Sequence, residues 1–493
     1  MNFGDIKIPK KEFDAKWLDK AIEEGNEGQY IASAIQEHQE FVKLIEQANR
    51  YYIGFNDILC KEKTKDRVDR VYEQQITNPL RTANNQEPHG FYSITVDQKI
   101  SYGFSDRILL DSKNKKYNEE LTKLANLLYS KIDYLALYSS NAGFSWLYYY
   151  INKNVEFKIQ EYEASEIIPF YDYSEEKTLK YILRYFENVA ILYKIEGYVE
   201  YSLDKQGIYQ KEKTILGKEK LNPYMMRKNI FGQQRKVAEN WGRLPFIRFN
   251  NNITNTPDLL KLKPFIDAYD MIVSNYVNDV EDLQQLIFVL INYGGQDLEE
   301  FLQDLKKYKA IKIKRNGTGH DGGVETLKVD IPVEARIKLL EVIEQNIWNI
   351  GQAVNPKDLR EAGKLSGVAI QQLYGLLELK TGLMIKQYYN SIEELIEAHK
   401  LYLKKAKKLD YTEENVEQIY TRTMIKNDAE TIENCKNSVG IVSNKTILKN
   451  HPWVSDVEAE EKQIKKEEAE DMEYNDTFQK LTKEGEKNEK SGQ

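Results

Sequence analysis

Five carboxylates crowd one short stretch of this chain. Asp267, Asp270, Asp279, Glu281 and Asp282 fall within PFIDAYDMIVSNYVNDVEDLQQLI (264–287), and no Lys or Arg interrupts them. Asp279 and Asp282 stand at i,i+3, a spacing that puts two carboxylates on one helix face. Such a pair could share a proton as acid and base or hold a metal ion. The ordinary reading is a solvated face. A sharper one is a surface that repels a polyanion.

Other signals for chemistry are weak. The five histidines, His38, His89, His320, His399 and His451, form neither HExxH nor a Cys/His cluster, so no zinc site is expected. No G-x-S-x-G elbow and no EF-hand loop is present. DLREAGKLSG (358–367) resembles a phosphate loop only superficially. It has Asp358 where the first glycine belongs and Leu365 where the hydroxyl for Mg²⁺ belongs, and an amphipathic helix precedes it rather than a strand. No cofactor is implied.

Two basic groups remain. Lys312, Lys314 and Arg315 alternate with apolar residues in AIKIKR. That is the pattern of a half-exposed strand, or of a contact surface for an acidic partner or DNA phosphates. Lys357, Arg360 and Lys364 lie beside Asp358 and Glu361, so their charges nearly cancel. Such a segment can touch phosphate without gripping it, because non-specific affinity grows with each phosphate neutralised.

These residues must be positioned by larger elements. Phe265, Tyr269, Ile272, Tyr276, Val280, Leu283 and Ile287 recur at helical spacing and predict one long amphipathic helix. Ile337, Leu340, Ile343, Ile347 and Ile350 predict a second over 333–350. Between them lie a strand (FVLINY), a polar helix (DLEEFLQDLKKY), the basic strand and the turn NGTGHDGG. The result is a stalk of two helices with a small knob. A loop over 351–366 then leads to a third long helix, from about Gly367 to Lys408, with a break expected near Gly382.

Upstream, residues 1–27 read as a polar arm and residues 30–60 as helix. FYSITVDQKISYGF (91–104) fits strand or helix equally. WLYYYI, EFKIQEY, EIIPFYD, YILRYF, YVEYSL and RLPFIRF predict strands. Downstream, helices are expected around 412–436 and 443–450 and after Asp456, and from about Asn475 the charged tail reads as disordered.

The chain has 493 residues, of which 41% are apolar and 30% charged. That balance suits a soluble protein with real cores, and no run is apolar enough to span a membrane. MNFGDIKIPKKEFDAKW lacks an apolar signal core, which argues against export. Cys60 and Cys435 cannot make a disulfide framework and fit a reducing compartment. A net charge of −8 argues against a generic nucleic-acid binder. The 34 tyrosines suit large, partly wet interfaces.

Taken in order along the chain, several segments resemble the portal proteins of tailed bacteriophages, of the SPP1-like type found in phages of Gram-positive bacteria. They are YYIGFNDIL (51–59), TVDQKISYGFS (95–105), ALYSSNAGFSWLYYYI (136–151), ASEIIPFYD (164–172), RLPFIRFNNN followed by the acidic helix, LSGVAIQQLYGLLELKTGLM (365–384) and VSNKTILKNHPWVSDVEAEEKQI (442–464). Two departures stand out. Ser105 replaces the glycine usual after the final Phe of the second segment, and Asp358 to Gly363 is a shorter, more basic lead-in than relatives carry.

The resemblance implies an α+β portal fold: an N-terminal arm (1–29), a mixed wing (30–262), a first stem helix (263–287), a clip (288–332), a second stem helix (333–350), a tunnel loop (351–366), a long wing helix (367–408), a helical crown (409–474) and a tail (475–493). It implies a non-enzymatic homo-oligomeric ring, commonly of twelve subunits, at one capsid vertex. Double-stranded DNA would pass through the ring, packaged by the terminase motor's large subunit and later ejected. Further partners would be the head-completion adaptor and neck proteins, the major capsid protein and the scaffolding protein, in the virion and, during assembly, the host cytoplasm. The five stem acids would line the channel, Lys357, Arg360 and Lys364 would contact DNA, and Lys312, Lys314 and Arg315 would form the docking surface of the clip. An adaptor ring without DNA translocation, or a metal-dependent nucleic-acid enzyme, are the alternatives.

Overall fold

The structure is a computed structural model. It describes residues 9–61, 83–152, 154–195, 197–216, 226–228, 234–236, 241–282, 287–291, 323–327, 333–361, 367–421, 428–454, 456–467 and 469–470. The chain divides into two compact units, one from residues 1–353 and 377–422, the other from 354–376 and 423–493.

The first unit begins with β1 (Phe13–Asp14), α1 (Ala15–Glu24) and α2 (Glu27–Tyr52). Asp14 caps α1 by accepting the Lys16 amide at 2.9 Å, and Gly25, at φ 71°, turns the chain out of it. The expected polar arm is therefore corrected. Phe13 and Leu18 are buried, and β1 adds to a sheet in parallel with β5. The arm reading failed because its apolar residues are few and widely spaced.

Residues 91–104 resolve as a helix, α3 (Phe91–Phe104), and β2 (Leu109–Asp111) and α4 (Lys115–Ala142) follow. Asn114 caps α4 through the amides of Lys116 and Tyr117. Gly143 ends α4 at φ +94°, and a Cβ there would lie 2.2 Å from the Asn255 carbonyl oxygen, so no other residue fits this crossing.

The strands are β3 (Phe144–Ile151), β4 (Phe157–Tyr162), β5 (Ile167–Asp172), β6 (Thr178–Phe186), β7 (Val189–Lys194), β8 (Gly197–Leu203), β9 (Tyr209–Leu216), β10 (Met226–Lys228), β11 (Gln234–Lys236) and β12 (Phe246–Asn250). They form a six-stranded sheet in the order β1-β5-β6-β7-β8-β9, a three-stranded sheet β12-β3-β4 and a small β10-β11 pair. The strands expected between residues 144 and 250 are all present, and β7, β9, β10 and β11 are additional; the expected basic strand AIKIKR lies outside the described residues. Six buried positions of the eight in β3 show why it reads as an apolar run rather than an alternation: both of its faces are covered.

Then come α5 (Leu259–Asp282), β13 (Ile287–Ile291), β14 (Gly323–Leu327), α6 (Val333–Gly351), α7 (Pro356–Glu361), α8 (Gly367–Tyr402), β15 (Glu417–Ile419), α9 (Asp428–Asn437) and α10 (Asn444–Asn450). Residues 457–467 are also helical. Three expectations need correction. Ile287 belongs to a strand rather than to the stem helix. α8 runs through Gly382 without a break, and a single π-type turn over Leu403–Lys407 ends it. Residues 409–421 contribute β15, which pairs with β2 and so belongs to the first unit rather than to a C-terminal helical part.

The main core joins α3, α4, the β12-β3-β4 sheet, α5, α6 and α8. A second core lies between α1, α2 and the six-stranded sheet. Two neutral histidines are sealed into the first unit. His38 shares a hydrogen bond with the Tyr185 hydroxyl at 2.8 Å, and His399 packs on Phe157 and Tyr402. Burial lowers both pKa values to about 4. Because each folded value lies below the unfolded one, the unfolded chain binds more protons between about pH 6.5 and pH 4. Stability is therefore expected to fall as pH drops through that window, by up to about 1.4 kcal/mol per pH unit per histidine. His399→Phe should flatten the decline seen in thermal melts at pH 7 and pH 5. An unchanged slope would remove His399 from the account.

Candidate functional site

The acidic helix α5 lies antiparallel to α6. Asp279, near the end of α5, pairs with Arg336, near the start of α6, while a Cβ on Gly351 at the end of α6 would lie 3.4 Å from Leu262 near the start of α5. Between α5 and α6, β13 and β14 pair antiparallel from Ile287 opposite Leu327 to Ile291 opposite Gly323. The two ends of the segment between the helices are thus tied together. Lys312, Lys314 and Arg315 lie outside the described residues, as does Lys364.

The acids of α5 are not a free charged face. Asp270 is fully buried, and Ser274 nearly so. The reason is an extended segment, residues 83–89, that runs along the helix. The amide of Asn85 donates to Asn278 Oδ1 at 2.6 Å, that of Glu87 to Ser274 Oγ at 3.0 Å, and that of His89 to Asp270 Oδ1 at 3.1 Å. Four helical residues advance about 6 Å and two extended residues about 6.6 Å, so a two-residue step on the strap matches a four-residue step on the helix. Asn85 Nδ2 also reaches Glu281 at 2.6 Å.

Asp270 further accepts from Asn56 Nδ2 at 2.6 Å, with His89 Nδ1 at 2.8 Å. Asp267 accepts from the Tyr51 hydroxyl and from Lys263 Nζ, the latter at 2.6 Å. Burial works against the Lys263 ammonium, yet Asp267 and Asp57 hold its pKa above the ordinary lysine value. Asp282 closes the helix. The expectation of acids without internal partners is corrected here: Asp267, Asp270, Asp279 and Glu281 each accept from their own chain. A carboxylate buried as Asp270 is cannot present charge to a channel in this conformation. Of the expected apolar stripe, Phe265, Tyr269 and Ile272 pack half-buried against the core and Val280 is exposed, while the buried line of the helix is Leu262, Ile266, Asp270 and Ser274.

Asp270→Ala should leave the His89 amide and the Asn56 side chain without their acceptor, at a cost of about 1–3 kcal/mol. Amide exchange over residues 85–89 should then accelerate, as read by hydrogen-exchange mass spectrometry. Unchanged protection would show that the strap is held by other contacts.

A second constellation lies at the base of the helix pair. Lys99, from the apolar helix α3, is buried and donates to Asn251 Oδ1 at 2.7 Å and Asp258 Oδ2 at 2.5 Å. Lys380 from α8 lies 3.4 Å from the same carboxylate and donates to the Gly351 carbonyl at 2.9 Å. Burial opposes the Asp258 charge, but Lys380 and Lys99 hold its pKa well below the carboxylate range. Burial, with Lys380 close by, lowers the Lys99 pKa to about 8. Nearby, Tyr102 donates to Glu378 at 2.6 Å, and Phe104 stacks on Tyr388 at 5.4 Å. The segment TVDQKISYGFS is therefore an anchor between α3, the start of α5, the end of α6 and α8. Sequence reading missed Lys99, Asn251, Asp258 and Lys380. The available signal was one lysine on the side of α3 opposite its polar face of Ser93, Asp97 and Ser101.

In the second unit, Lys357 and Arg360 are exposed on the short helix α7. Pro356 opens it, and Asn355 Oδ1 accepts the Lys357 amide at 2.9 Å, so the basic pair follows a capped turn rather than a loop. No cluster of three or more His, Cys, Asp or Glu that could hold a metal occurs among the described residues. No described helix is long and apolar enough to cross a membrane.

Residues 31–474 match the family model described as phage portal protein, SPP1 Gp6-like. The chain is 38% identical over 434 residues to the portal protein of Clostridium phage phiCD119, covering 84% of this chain and 90% of that protein. It is 30% identical over 448 residues to the portal protein of Bacillus phage SPP1, covering 86% and 85% respectively. The family match spans both units and takes in the acidic helix, its partner and the anchor segment alike. The chain therefore belongs to the phage portal protein family.

Proposed function

We propose that this chain assembles into a closed ring of twelve copies at one vertex of a phage capsid. Double-stranded DNA is packaged through the ring by a terminase motor and later ejected through it. The observation that carries the reading is the α5/α6 pair. Its polar line is used up within the chain, yet Met271, Val280, Ile337, Leu339 and Val342 remain exposed on it. Apolar side chains on two adjacent helices call for a partner surface. A heterologous contact that closes into a ring supplies one to every copy. The full match to the portal family supports the same reading.

In the ring, residues 30–262 form most of the wing, α5 and α6 the stem, and residues 288–332 the clip. The clip docks the terminase and then the head-completion adaptor through Lys312, Lys314 and Arg315. Residues from about 422 onward form the crown, a later start than the 409 read from sequence. Glu281, exposed on α5, with Asp279 and Asp282 beside it, makes the stem wall acidic, while Asp267 is taken up by Lys263 and Tyr51. A wall of that sign lets DNA slide, because a basic lining would neutralise phosphates and bind. Lys357, Arg360 and Lys364 touch the passing backbone lightly.

The triple variant Lys357→Ala, Arg360→Ala, Lys364→Ala should form rings normally but package several-fold less DNA in a nuclease-protection assay. Unchanged packaging would remove these residues from the DNA path.

A further inference from the structure

The Lys99–Asp258–Lys380 cluster does not end in a closed core. It opens into a cavity of about 190 Å³ lined also by Asn251, Thr256 and Lys261. Among the described residues lining the cavity, Asp258 is the one carboxylate and Lys99, Lys261 and Lys380 are all cationic. Lys99 and Lys380 share Asp258, which leaves one positive charge inside uncompensated. Lys261 is exposed at the mouth, and it has no ion-pair partner among the described residues. Desolvated charge of one sign is costly unless an opposite charge meets it.

The surroundings indicate what brings that charge. Of the lining residues Ile253 is 75% exposed, Leu383 48% and Ile350 37%, with Thr254 exposed among them. A cationic hollow with exposed apolar side chains beside it has the layout of a protein contact, in which apolar neighbours keep water from a charged pair. A site for DNA phosphate has no use for the exposed apolar side chains of Ile253, Leu383 and Ile350. The chain carries 78 acidic residues against 70 basic ones, so another copy can supply the missing carboxylate.

We propose that this cavity is a socket in which a carboxylate side chain of a second copy of the chain meets Lys261 and the buried lysines. The socket rests on the ring reading and specifies one contact within it. It also explains why the base of the helix pair is cationic in an acidic protein. The neighbour's anion completes a cluster that one chain leaves short of negative charge.

The test uses full-length protein assembled from an equal mixture of unlabelled and ¹⁵N-labelled chains, treated with a water-soluble carbodiimide. That reagent joins an amine to a carboxylate only where the two touch. Mass spectrometry is expected to find Lys261 linked to an acidic residue in peptides of mixed isotope content. Lys261→Glu should fold as the native chain does, because the side chain is exposed, and should raise the concentration at which rings dissociate by about tenfold, the size of one good interface contact. If rings form but Lys261 links only within one chain, or if Lys261→Glu rings are as stable as native ones, the socket is refuted and the ring reading stands. If no rings form under any condition, both fall.

Discussion

Asp258→Ala is expected to destabilise the protein by about 3–5 kcal/mol, the usual cost of leaving a buried charge without its partner. The variant strands two ammonium groups at once. Lys99, at 1% side-chain exposure, keeps only the Asn251 carbonyl, and Lys380 keeps only the Gly351 carbonyl. Lys99→Met should cost clearly less. It removes one cation but leaves Asp258 paired with Lys380, and methionine suits the buried side of α3 on which Lys99 lies. Thermal melts and limited proteolysis of the purified variants would show the order. Equal effects of the two changes, or a smaller effect of Asp258→Ala, would mean that the cluster does not hold α3, α5, α6 and α8 together.

The paired change Leu339→Asp, Val342→Asp should abolish ring assembly while leaving the fold intact. Both side chains are about half exposed in the single chain, so aspartate there meets water and costs little. At i,i+3 they share one face of α6. Buried at a subunit contact, each carboxylate would lack a partner. A loss on the order of 2 kcal/mol per site, about thirtyfold in association, is typical for a central contact. Every copy in a ring carries the damage on its own contact. Size-exclusion chromatography with light scattering should then show a folded monomer. Rings of unchanged stability would mean that this face of α6 points elsewhere.

The legibility of the sequence varied with how local the determining physics is. The boundaries of α6 could be read to within a residue, because an apolar repeat and flanking polar residues define them locally. The same holds for β4 and β5, whose aromatic and β-branched runs suit buried sheet, whereas β3 and β12 were found but with looser starts. The roles of the acids on α5 could not be read. Asp270 looks like a solvent carboxylate because its donors, Asn56 and His89, lie more than 180 residues away in sequence. A polar residue on a helix signals exposure only when nothing distant returns to cover it. Lys99 posed the opposite problem. It sits where burial is legible, but its partners Asp258 and Lys380 are set by tertiary contacts that no spacing rule reports.

The acidic helix therefore has two kinds of polar residue. Asp270, Ser274 and Asn278 hold the strap, and their replacement is a matter of stability. In the proposed ring, Glu281 and the acids nearest the end of α5 are the ones left to face the channel. The first unit leaves apolar surface exposed on α5 and α6 and a cationic cavity at their base. Both features ask for a neighbouring copy.

The most direct test is an image of the assembled protein. Electron microscopy of the purified full-length chain should give end-on views of a closed, rotationally symmetric ring with an open centre. A stable, folded monomer at high concentration, with no ring under any salt condition, would contradict the account.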